Sequence, residues 1–391
     1  MERYNFYFDE TYHTRKITYR NGKLNLDNDK DFYVGCYIGA KDWEPLQNQL
    51  LSFETRQKQK LGISPDKELK STSLINSNKI TYGLHSLNAY ALDFYTELFE
   101  ILKGNIKIHL YIMNKYEFLF HNIFPGPKFF EERGVLYKNF MYCLTKFVVL
   151  HPQYKICDVL LSPQKDRQKR RQIITILKKH LRKIDNIQKK QKEKEAISLL
   201  VNIFHAIPFH FQCAETINWD YRTSPALFEE FLFEQNIGLK NLYIDNEANT
   251  VEAARTRFKD SVFAVQSEDN IQIRVCDWIA CLISRIVLSH EKSYLKELPE
   301  DEFTERLHLL DEQYFVLNTK QQKLVELIWH VMLEQQEGYW STAGGAYNDD
   351  VTSFYTFVRY CHFQFEHEQP LTPNEFNSWL MQEFAYMYEQ Y

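Results

Sequence analysis

With 391 residues, 44% of them hydrophobic and 15% aromatic, the chain has apolar material for two or three structural units, which excludes a disordered segment or a small disulfide-stapled scaffold. The formal net charge is −5, so any basic stretch is a local patch and not a background. Seven cysteines, odd in number and never spaced C-x-x-C, read as buried thiols in a reducing cytoplasm. The start lacks a basic region followed by an apolar stretch, and the best later candidate, Trp278 to Leu288, is short and carries Arg285. The expectation is therefore a soluble, cytoplasmic protein with no membrane span and no export signal.

Tyr4 to Phe8 alternates as a strand and runs into Asp9-Glu10-Thr11, an unusual pair of carboxylates at a strand tip. Asp9 and Glu10 point to opposite faces, and Glu10 reads as structural. A polar connection (Asn21-Gly22, Asp27 to Asp31) leads to a second strand, Phe32 to Gly39. Trp43 to Lys60 and Leu84 to Leu102 have helical spacing, with a Gly/Pro-punctuated turn between them that carries Glu68-Leu69-Lys70-Ser71. Ile106 to Met113 is a further strand, so strands and helices interleave in the manner of a layered α/β domain. From Gln164 to Glu195 thirteen Lys or Arg residues surround Ile173, Leu177, Leu181, Ile184 and Ile187, the pattern of one long amphipathic helix with a basic face. Leu239 to Ile244 is a strand ending in Asp245, Asn270 to Leu288 a helix, and most of the last hundred residues, from Pro299, read as aromatic-rich helices around a loop at Ser341 to Ala346.

Twelve glycines fall in neither G-x-G-x-x-G nor G-x-x-x-x-G-K-[ST], and neither G-x-S-x-G nor H-E-x-x-H is present. His205 and His210 flank Pro208, and His362 and His367 are in a poor register for one helical face, so the histidines read as structural. Three carboxylates stand where apolar structure stops or is interrupted: Asp9, Asp245 and Asp277. On a helix Asp277 shares a face with Ala280, Cys281 and Ser284, small residues that permit close approach to a neighbour. Converging carboxylates suit Mg²⁺ or Mn²⁺, and paired ions about 3.5 to 4 Å apart serve phosphodiester hydrolysis. On spacing alone the alternative stands beside this: Asp9 and Asp245 as turn-initiating residues, and Asp277 paired with Arg274 or Arg285.

FYFDETYHTR, KELKSTSL, LYIDNEAN and VQSEDNIQIRVCDWIACLISRI, in that order, resemble the motif series of domain-of-unknown-function family 3800, a bacterial group in the ribonuclease H-like superfamily. The resemblance covers roughly 1–120 and 235–290. It implies an α/β fold, a ribonuclease H-like mixed sheet flanked by helices, with a helical insertion at 121–234 and a helical C-terminal region at 291–391. It also implies a Mg²⁺- or Mn²⁺-dependent nuclease with Asp9, Glu68, Asp245 and Asp277 as metal-binding and catalytic residues, and Lys70 against a substrate phosphate. Gln272, Asp277 and Ala280 fall on the helical motif. Three departures are visible: Thr11 for a small Ser, Cys276 for Ala, and Asn114 where an Asp often ends the strand, which would leave the ligand set short.

The expected partner is RNA or DNA, held on the basic face by Arg167, Lys169, Arg170, Arg171, Lys178, Lys179 and Arg182. The resemblance adds defence against phage or plasmids as a setting. The aromatic C-terminal helices suggest a protein partner or self-association. The competing expectation is a nucleic-acid-binding or scaffolding protein of the same fold without catalysis.

Overall fold

Alternation of large apolar and polar residues from Tyr4 onward makes a long first strand, and the remainder of the main sheet is assembled around it. A computed structural model describes residues 2–12, 16–20, 22–26, 32–75, 80–104, 106–187, 190–207, 216–295, 309–336 and 342–389. Asn21, Asp27 to Asp31, Pro208, His210, Cys213, Pro299 and Ser341 lie outside them. The described strands are β1 (Glu2–Thr11), β2 (Lys16–Arg20), β3 (Lys23–Leu24), β4 (Phe32–Ala40), β5 (Lys107–Asn114), β6 (Thr216–Asn218), β7 (Ile237–Asp245), β8 (Val262–Val265) and β9 (Thr342–Gly344).

The main sheet has six strands in the order β8-β7-β1-β4-β5-β9, and β3-β2-β6 form a small second sheet. β1 pairs antiparallel with β4 and parallel with β7; β4 and β5 are antiparallel, β7 and β8 parallel. The chain is thus α/β with a mixed sheet, and β1 sits between an antiparallel neighbour, β4, and a parallel one, β7.

Helices cover both faces of the sheet, which explains why β4 is buried along its whole length. Phe6 and Phe8 face the helix Thr223–Glu234, with the Phe6 and Phe228 rings 4.9 Å apart. Close packing on this face requires glycine opposite: a Cβ on Gly39 would lie 2.3 Å from the Phe6 ring. On the other face the helix Ile271–Leu295 crosses β1, and the Cys276 thiol donates to the Tyr7 carbonyl at 3.3 Å. The helices Glu44–Leu61, Ala89–Leu102, Thr319–Met332 and Asp349–Glu366 pack around it. The C-terminal helices are therefore part of the main core: Leu324, Ile328, Phe354 and Val358 share one cluster with Trp278.

A second core joins Tyr33 and Tyr111 from the sheet to the helices Tyr137–Leu150, Asp166–Ile184 and Gln191–Ala206. Here the expected single helix from Gln164 to Glu195 is corrected. It ends at Ile184, where Asp185 and Asn186 disfavour continuation, and a separate helix begins at Gln191 and packs back on it. The helix expected from Leu84 is likewise shorter: Gly83–Ser86 is a 3₁₀ turn, and the Asn88 side chain caps the helix by accepting from the Ala91 amide at 2.8 Å.

The loop expected at Ser341 to Ala346 contains β9, which adds parallel to β5. Glu117, fully buried, accepts from the backbone amides of Ala346 at 2.6 Å and Tyr347 at 2.8 Å. A Cβ on Gly344 would stand 2.0 Å from the Ile112 carbonyl oxygen, and one on Gly345 would stand 2.3 Å from Glu117 Oε2. Gly344→Ala should therefore destabilise the fold by roughly 1–3 kcal/mol, read as a lower urea midpoint.

Candidate functional site

β1 and β7 run side by side in the same direction, with Phe8 opposite Ile244. Asp9 and Asp245 therefore leave adjacent strands at the same end. Asp277 follows Cys276, whose bond to Tyr7 presses this part of the helix against β1. The three aspartates, remote in sequence, feel one another's charge: Asp277 and Asp245 both act on Asp9, and Asp245 on Asp277. Glu68 stands at the edge of the group and responds to Lys70, Asp277 and Asp245.

Hydrogen bonds explain how the turn at Glu68 reaches the site. Trp278, fully buried, donates its indole N–H to the Leu69 carbonyl at 2.8 Å. Ser71 grips the neighbouring carboxylate twice, its hydroxyl donating to Asp277 Oδ1 at 2.8 Å and its amide to Oδ2 at 3.0 Å. These bonds hold Glu68 and the exposed Lys70 beside Asp277. Asp245 Oδ1 accepts from the amides of Asn246 at 3.0 Å and Ser267 at 3.2 Å. Asp9 Oδ1 accepts from the Glu10 amide at 2.7 Å.

All four carboxylates are half-buried, neither sealed in the core nor free in solvent. Burial, the charge of Asp277 and the charge of Asp245 push the Asp9 carboxyl well above the usual range, against the Glu10 amide. Burial raises Asp277 despite the two Ser71 bonds, and burial raises Glu68 despite Lys70. A group of oxygen donors that resist shared negative charge fits a hard divalent cation in donor chemistry. The fit is loose in spacing. Among the described residues, the three metal-capable side chains whose ligand atoms gather within 4.8 Å are His151, His180 and Glu193, not these carboxylates.

Arg274 is not the partner of Asp277. Its Nη2 donates to Glu54 Oε2 at 2.8 Å, both side chains being 5% exposed, and its Nη1 donates to the carbonyls of Ser267 and Glu268 at 2.5 and 2.9 Å. Arg285 lies over the Tyr12 ring. Asn114 ends β5 opposite Phe32, and its side chain is taken up in capping the next helix, accepting from Tyr116 N at 2.9 Å. Glu10 faces away from Asp9 and accepts from the Tyr33 hydroxyl.

Of the basic residues expected to face a phosphate backbone, Arg167, Arg171, Lys178, Lys179 and Arg182 are exposed on the helix Asp166–Ile184. Lys169 is a correction: it is buried and donates to the Leu160 carbonyl at 2.9 Å. Arg170 is half-buried, with its guanidinium on the Ile207 carbonyl at 2.6 Å. The aromatic residues that suggested a C-terminal partner surface are mostly internal, Phe354, Tyr355, Phe357, Tyr360 and Phe376 being buried.

No protein-family model matches the chain, and no curated protein or solved structure matches it. No described helix is long and apolar enough to cross a membrane.

Sequence reasoning missed Ser71 as the residue that orients Asp277, although it stands beside Lys70. It also missed Glu54, which lies within its helix, because a glutamate there reads as solvated. His151, His180 and Glu193 carry no local motif at all.

Proposed function

We propose that the chain is a Mg²⁺- or Mn²⁺-dependent nuclease with a ribonuclease H-like core. The observation that carries this reading is the meeting of Asp9, Asp245 and Asp277 at the ends of two adjacent parallel strands and on the helix that crosses them. Strand order supports it. Counting β1, β4, β5, β7 and β8 as first to fifth, the sheet runs third, second, first, fourth, fifth, with the second antiparallel to its neighbours, as in ribonuclease H-like sheets.

Asp9, Asp245, Asp277 and Glu68 would hold the ion, which when bound supplies Lewis-acid polarisation of a phosphodiester and a water of lowered pKa. Ser71 fixes the Asp277 carboxylate in one orientation through two bonds, so that its charge points into the group. Lys70, exposed beside Glu68, meets a substrate phosphate as a mobile point charge. Glu68, at the outer edge and raised by burial, takes up a proton more readily than an ordinary glutamate.

The exposed face of Arg167, Arg171, Lys178, Lys179 and Arg182 supplies sequence-independent attraction to the phosphate backbone. Replacing Arg171, Lys178, Lys179 and Arg182 with Gln should weaken binding of every sequence alike. The slope of log affinity against log salt should flatten by roughly 0.7 to 0.9 for each phosphate that is no longer neutralised, as measured by fluorescence anisotropy. An unchanged slope would make this a solvated helix face only.

The loose spacing of the carboxylates favours a second reading, a protein that binds nucleic acid without cutting it. Labelled single- and double-stranded RNA and DNA, incubated with the protein in Mg²⁺ and in Mn²⁺, separate the two. Cleavage that chelator stops supports the nuclease. Binding with no cleavage of any substrate supports the second reading.

A further inference from the structure

Outside the carboxylate group, one cluster has the composition and spacing of a metal site. His151 follows the last residue of the helix Tyr137–Leu150, His180 lies on the helix Asp166–Ile184, and Glu193 is in the first turn of the helix Gln191–Ala206. Their ligand atoms all fall within 4.8 Å of one another. Glu193 Oε1 is 2.8 Å from His180 Nε2 and 3.6 Å from His151 Nε2. Tetrahedral zinc with bonds of about 2.0–2.1 Å sets its ligand atoms about 3.3–3.4 Å apart, between those two distances.

The surroundings suit a metal too. His180 Nε2 donates to Glu193 Oε1 at 2.8 Å and the Tyr154 hydroxyl meets Nδ1 at 3.1 Å, so a metal would replace the proton on Nε2, with Nδ1 then donating to Tyr154. The Phe147 ring stacks on Tyr154 at 5.7 Å and meets the His180 ring edge-on at 5.4 Å, holding both. Lys190 stands 3.8 Å from Glu193 Oε2, the oxygen turned away from the imidazoles, and leaves Oε1 to them. His180 is buried, whereas His151 and Glu193 retain 13% and 32% side-chain exposure, and His151 lines a cavity of about 250 Å³. An ion thus has a route in from solvent.

We propose that His151, His180 and Glu193 form a zinc-class metal site that ties together the ends of three helices of the second core. Two imidazoles and one carboxylate select Zn²⁺ over Mg²⁺ and Mn²⁺, the reverse of the all-oxygen carboxylate group. The ion joins three chain segments at one point, and an ion bound only by the folded state stabilises it. The site is independent of the nuclease reading.

The test uses the full-length protein stripped by chelator, titrated with ZnCl₂ by calorimetry and checked for bound metal and melting temperature. One equivalent of tightly bound zinc and a raised melting temperature are expected, and both should persist in excess MgCl₂. His151→Gln and Glu193→Gln alter partly exposed side chains, so both should fold with an unchanged circular dichroism spectrum and lose the tight site. Tyr154→Phe should keep the stoichiometry and weaken affinity about 10- to 100-fold. Asp9→Asn should bind zinc as the parent does. Equal zinc binding by the parent and by both His151→Gln and Glu193→Gln would overturn the proposal, as would zinc lost on Asp9→Asn alone.

Discussion

Asp9→Asn is expected to abolish metal-dependent cleavage while making the metal-free protein more stable. The loss of activity follows from removing a charge at the centre of the carboxylate group: several kcal/mol of cation-mediated stabilisation corresponds to a drop of about a thousandfold or more. The gain in stability follows from the raised Asp9 carboxyl. A folded-state pKa above the unfolded value of about 3.9 means that the folded protein keeps a proton which the unfolded chain releases. That contribution is fully present below the unfolded pKa and is lost as pH rises through the folded one. At neutral pH the parent should therefore melt lower than Asp9→Asn when chelated, and the gap should close as pH falls toward about 4. Added Mn²⁺ should reverse the order. Thermal melts across pH, with and without metal, check all three statements. A chelated Asp9→Asn that melts below the parent at pH 7 would mean that favourable interactions, and not charge repulsion, dominate at Asp9.

Arg274→Ala should be the most destabilising single change near the site. Arg274 and Glu54 are each 5% exposed, and removing the guanidinium leaves a carboxylate in the core with the more distant Lys58 ammonium at 3.5 Å. Breaking such a pair by removing one partner costs about 3–5 kcal/mol. Position is also lost. Arg274 holds the Ser267 and Glu268 carbonyls, and the Ser267 amide donates to Asp245. Replacing the pair together, with Glu54→Leu and Arg274→Leu, should recover most of the stability but not the hold on the Ser267 turn. Urea unfolding gives the first quantity. Hydrogen exchange at residues 265–270 gives the second. Unchanged exchange there in the double variant would remove Arg274 from any role in positioning Asp245.

The parts of this arrangement that were readable in sequence are those with a local signature. Asp9 and Asp245 each follow an apolar strand, and a carboxylate at that point is conspicuous. The small residues beside Asp277 foretold close approach, and Ala280, Cys281 and Ser284 are indeed buried in the helix that crosses β1. Long-range features left weaker traces. β9 is three residues long and ends in glycine, and it becomes a strand only because β5 and Glu117 receive it. Lys169 reads as solvent-facing by charge, yet it lies four residues before Ile173 on the apolar stripe, so its stem is buried while its ammonium reaches Leu160. His151, His180 and Glu193 come from three separate helices or their ends, so no spacing rule joins them.

In the proposed nuclease Asp9, Asp245, Asp277 and Glu68 together hold a divalent cation. Titration of chelator-stripped protein with Mn²⁺, followed by electron paramagnetic resonance of the free ion, counts such ions directly. The parent should take up one or two Mn²⁺ per chain, Mg²⁺ should displace them, and both Asp9→Asn and Asp277→Asn should lose this uptake while remaining folded. Uptake by both variants equal to that of the parent, or none by the folded parent, would contradict it.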